Sequence, residues 1–153
     1  MSSYSFTHCL LFLFVLVSTT FAQDGNHIAG DDAGTNLFRS SDFNTLIGDG
    51  AGFSSTSGDD NLFFGYQAGY LTTSTDELVF IGYQAGYNNT GYDNTFLGLQ
   101  AGFTNTSGFD NTFVGALAGW SNTTADENTF LGARAGFCHT TGDDNTYVGV
   151  EAG

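Results

Sequence analysis

The chain has 153 residues, with 22 Gly, no Pro, 16 Phe and 7 Tyr. That is room for one domain or one repeat array, and it is too aromatic for a disordered segment. The formal net charge is −14, from 16 acidic residues against Arg39 and Arg134. A field of that sign repels phosphate backbones and anionic lipids, so nucleic-acid binding is excluded while cation accumulation stays open.

Residues 1–22 contain no Asp, Glu, Lys or Arg, and Cys9 to Val17 is an uninterrupted apolar run. Thr20 and Ala22 stand before Gln23 at the spacing of a cleavage site. The segment therefore reads as a secretory signal peptide, too short to span a bilayer, and it places the mature chain outside the cell or on its surface. Its first residues, MSSYSFTH, lack the usual Lys or Arg. In 23–153 the single cysteine is Cys138, which is expected to be free or paired between chains.

From Asn26 to Gly153 one motif recurs, as NHIAGDDAG, NTLIGDGAG, NLFFGYQAG, LVFIGYQAG, NTFLGLQAG, NTFVGALAG, NTFLGARAG and NTYVGVEAG. The copies start at residues 26, 44, 61, 78, 94, 111, 128 and 145. Their central glycines are spaced by 18, 17, 17, 16, 17, 17 and 17 residues. Glycine every four or five residues rules out regular helix, at about 1 kcal/mol each against Ala. Short aromatic and β-branched runs between Gly and Asn read instead as very short strands. A repeat of this length cannot enclose a core alone, but coils stacked about 4.8 Å apart can. The expected fold is all-β: a β-solenoid, or parallel β-roll, of about eight 17-residue coils.

Stacking predicts columns of like side chains. Phe63, Phe80, Phe96, Phe113, Phe130 and Tyr147 form one aromatic ladder. Ala51, Ala68, Ala85, Ala101, Ala118, Ala135 and Ala152 form a narrow column beside the corner glycines, and Asn94, Asn111, Asn128 and Asn145 an amide ladder. A second aromatic column, Phe53, Tyr70, Tyr87, Phe103, Trp120 and Phe137, is too bulky to share one narrow lumen with the first. Left exposed, it would exceed the apolar patch that soluble monomers tolerate, so it is the expected assembly face. The Gly-rich turns, such as GYQAGY, superficially suggest a phosphate loop, yet the chain has no Lys and no helix pattern follows.

The Asn-Thr-Phe-Leu-Gly-x-x-Ala-Gly coils from Asn26 to Gly153 resemble the head repeats of trimeric autotransporter adhesins and related bacterial surface and tail-fibre-like proteins. The resemblance implies a left-handed parallel β-roll, three chains side by side as a homotrimer, and an adhesive role toward a host or matrix ligand. Departures are the length, near 14 residues in the best-known heads, and the preference here for Phe and Tyr. No coiled-coil stalk or barrel anchor follows the repeats, so the chain is expected to be a fragment or a degenerate copy.

Four side-chain groups raise specific chemistry. Asp60, Glu77, Asp93, Asp110, Glu127 and Asp144 precede each motif in register, which invites Ca²⁺ between coils; the alternative is turn capping with solvated charges. Asn88, Asn105 and Asn122 head N-x-S/T sequons, open to glycosylation in a eukaryotic secretory pathway or mere by-products of the repeat. Thr95, Thr112, Thr129 and Thr146 form a rank that suggests ice binding, although Leu62 and Val79 interrupt it. In the mature chain His27 and His139 have no recurring nucleophile and carboxylate beside them, so no enzyme, catalytic residue or cofactor is expected. The leading expectation is a secreted or cell-surface, rigid, adhesin-like binding and spacer module. A purely structural fibre or matrix segment comes second and an ice-binding solenoid third.

Overall fold

The computed structural model describes residues 25–38 and 41–153. The expected signal peptide lies outside them. Eight strands of three residues follow in chain order: β1 (His27–Ala29), β2 (Thr45–Ile47), β3 (Leu62–Phe64), β4 (Val79–Ile81), β5 (Thr95–Leu97), β6 (Thr112–Val114), β7 (Thr129–Leu131) and β8 (Thr146–Val148). They form one parallel sheet in sequence order, each strand paired with the next without a register slip. The chain is thus a β-solenoid of about seven turns, with no helix among the described residues.

The strands stop after three residues because the next residue must be glycine. Gly115 has φ +140°, and a Cβ there would fall on the carbonyl of Gly132 in the next coil. The same steric exclusion runs from Gly30 through Gly132. A turn follows, closed by Ala118 N–H to Gly115 O at 3.2 Å, with Leu117 at φ +60° in its third position, the pattern of a type II turn. Four residues after Gly115, Gly119 (φ +58°) lies against the Phe113 ring, where a Cβ would overlap it.

The middle residue of each strand points inward. Phe63, Phe80, Phe96, Phe113 and Phe130 are fully buried, and their rings stack with centroids 4.7–5.1 Å apart. Such contacts add about 0.5–1.5 kcal/mol each beyond area burial. The alanine column is equally buried from Ala51 to Ala135, and Ala152 in the last coil is half-buried. The remaining interior is polar. Asn44, Asn61, Asn94, Asn111 and Asn128 line one wall, and Asn89, Asn105 and Asn122 another.

Asn111 illustrates the amide ladder. Its Oδ1 accepts from Asn128 N–H at 3.0 Å, and its Nδ2 donates to Ala125 O at 2.8 Å. The ladder therefore joins side chain to backbone, with side-chain pairs such as Asn128 Nδ2 to Asn111 Oδ1 (3.2 Å) as additions. Leu78, buried at the same place in β4's coil, interrupts it.

Candidate functional site

The in-register acids sit at one corner of the coil, just before the strands. Asp60, Glu77, Asp93, Asp110, Glu127 and Asp144 all take φ between 53° and 60° and all are exposed. A neighbouring column is bound to backbone: Asp59 Oδ1 accepts from Asp42 N–H at 2.8 Å, and Asp143 Oδ1 from Asp126 N–H at 2.9 Å. The carboxyl of Glu77 is held above the usual range, first by sharing a hydrogen bond with Asp93 and then by the charges of Asp93, Asp60 and Asp76. Glu127 is raised in the same way, first by Asp144. Among the described residues no group of three or more His, Cys, Asp and Glu side chains is gathered to hold a metal; the calcium candidates meet only in pairs, Glu77 with Asp93 and Glu127 with Asp144.

The sequons do not share one position. The coil at Gly82 is one residue short, so Asn88 stacks in the column of Thr104, while Asn89 takes the column of Asn105 and Asn122. Asn105 and Asn122 are fully buried. Asn105 Nδ2 donates to Asn89 Oδ1 at 2.6 Å and to Gly108 O at 2.8 Å, and Asn122 Nδ2 donates to Asn105 Oδ1 at 2.9 Å. A glycan on either nitrogen is incompatible with this packing, which corrects the expectation for these two. Asn88 is half-buried and donates to Phe103 O at 2.8 Å.

The second aromatic column lies outside the lumen. Its rings stack 4.9–6.0 Å apart and are half-buried by one another. Arg134 rests on the last of them, with its guanidinium carbon 5.0 Å from the Phe137 ring centre, and pairs with Glu151 at 2.7 Å. Cys138 is free and exposed. The His139 ring packs edge-on against Phe130 and Tyr147, with Nε2 2.8 Å from Gly142 O. A shallow pocket of about 150 Å³ opens where Gly50 replaces a longer side chain, bordered by Asp31, Asp49, Phe53, Tyr66 and Tyr70.

A further set of exposed apolar side chains lies on the outward face of the sheet. Outward from β3 to β8 point the third strand residues Phe64, Ile81, Leu97, Val114, Leu131 and Val148. Beside them run the residues after each central glycine: Tyr66, Tyr83, Leu99, Ala116, Ala133 and Val150. Phe64 is 51% exposed, Leu97 41% and Leu131 47%. The threonine rank, from Thr95 to Thr146, is a third column of the same face. A separate threonine column, Thr90, Thr106 and Thr123, donates its hydroxyls to carbonyls of the next coil instead, as Thr106 Oγ1 does to Thr123 O at 2.8 Å. Sequence reading missed the outward face because its attention went to the larger rings; the signal was an aliphatic residue before every central glycine from Ile47 to Val148, with Phe64 the one aromatic.

No protein-family model, no curated protein and no solved structure matches the chain.

Proposed function

We propose that the chain is a secreted or cell-surface structural repeat protein, a rigid adhesin-like module that spaces and presents a binding surface. The observation that supports this reading is the unbroken strand ladder: eight strands in register, with a buried ring stack from Phe63 to Phe130 and an amide stack broken at Leu78. Each coil repeats its neighbour's chemistry, which suits presentation of an extended face and not a unique catalytic centre. The likeness of the motif to adhesin heads carries left-handedness into the proposal as well, on analogy of motif alone, and the homotrimer it also implies is the competing outcome of the test below.

The test displays the mature chain on beads and measures retention under flow on cell, matrix-protein and polysaccharide surfaces. Retention above that of beads carrying an acidic control protein of equal charge supports adhesion. Retention at the control level on all surfaces leaves the alternative, a purely structural fibre or matrix segment.

A further inference from the structure

The outward sheet face is free of charge in a chain of net charge −14. From β3 onward its three columns, the first and third strand residues and the residue after each central glycine, hold no Asp, Glu, Lys or Arg. The charges are sorted to its borders. Along the strand-entry border run Asp60, Glu77, Asp93, Asp110, Glu127 and Asp144; along the other run Gln67, Gln84, Gln100, Leu117, Arg134 and Glu151.

We propose that this face binds a second copy of the chain, with the two solenoid axes parallel. The proposal stands on the sheet face and not on the role suggested above.

Area and charge argue for it. The six coils from β3 to β8 at about 4.8 Å, each about five residues of about 3.3 Å wide on this face, span about 29 by 16 Å. A pair then buries about 900 Å², close to the roughly 1,000 Å² of a specific interface and in the range of a weak, reversible pair. The surface offered is regular: the rings of Tyr66 and Tyr83 already stack 5.2 Å apart, and a second copy presents the same axial period.

Orientation follows from the borders. Two copies with antiparallel axes would lay acid column on acid column. A twofold axis along the solenoid instead sets each acid column opposite the partner's Gln and Arg border. At the level of β7 it brings Arg134 of one copy to Glu127 of the other, because both flank that strand. Only at β8 does a like pair meet, Glu151 with Asp144, whereas the antiparallel pair would set six acids on six.

The test is sedimentation equilibrium of the full chain at ten to a hundred micromolar. We expect twice the chain mass. Leu97→Glu should weaken the pair at least tenfold with an unchanged circular dichroism spectrum, whereas Trp120→Glu, on the other aromatic column, should leave the mass doubled. In a Cys138→Ser background, Val148→Cys should cross-link the pair, since a parallel twofold axis brings the two copies of β8 together. A monomer, a threefold mass, or a pair insensitive to Leu97→Glu overturns the proposal. A pair in which Val148→Cys fails to cross-link overturns the parallel orientation.

Discussion

Asn111→Leu separates the contribution of the amide ladder from that of the ring stack. The substitution removes the acceptor of Asn128 N–H and the donor to Ala125 O, both buried. Each orphaned group costs about 1–3 kcal/mol. The new apolar side chain returns about 1.5–3 kcal/mol of burial. Leu78 already occupies the equivalent place in its own coil, fully buried, so the shape fits. The balance is a loss of about 2 kcal/mol. Asn111→Ala orphans the same two groups without that return and should lose about 4 kcal/mol. Equilibrium denaturation gives the order, and hydrogen exchange gives the location: the Asn128 amide should exchange at least tenfold faster in both variants. A repeat array need not unfold in one step, so the exchange result is the sharper of the two. If Asn111→Leu equals or exceeds the parent in stability and the Asn128 amide stays protected, the ladder is dispensable and the reasoning fails.

Gly115→Ala should prevent folding of the middle coils, because a Cβ at φ +140° meets the Gly132 backbone; a native circular dichroism spectrum at 25 °C would refute this. Glu77 and Glu127 have raised folded-state pKa values, so the native chain takes up protons before the unfolded chain does. Stability should therefore rise as pH falls from 7 toward the usual glutamate value of about 4.3, and a double Glu77→Gln, Glu127→Gln variant should flatten that rise in melting temperature. Millimolar Ca²⁺ should shift the melting temperature no more than Mg²⁺ at equal ionic strength, and a Ca²⁺-specific shift of many degrees would restore a coordinated site. Secreted from a eukaryotic host, the folded fraction should carry no glycan on Asn105 or Asn122, which mass spectrometry of the tryptic or chymotryptic peptides will read.

The sequence by itself determined the coil, its length and its inner ring stack. A parallel stack puts like residue on like, so Phe63 to Tyr147 could be placed by counting in seventeens. Counting also placed the alanine column and the central glycines, since a residue without Cβ at every turn announces a close backbone approach. What counting could not decide was which way each side chain faces in the turns. Gln67, Gln84, Gln100, Leu117 and Arg134 take positive φ, a conformation their identities do not suggest. That twist carries the following alanine into the core and leaves the Phe53-type ring half-buried on a corner. The one-residue deletion after Thr90 is a second case. Linear spacing kept the sequons in line, while the backbone pairing shifted Asn89 into the inner column and Asn88 out of it. Facing is set by the turn dihedrals and by pairing with the next coil, and both are properties of the closed stack, not of any single repeat.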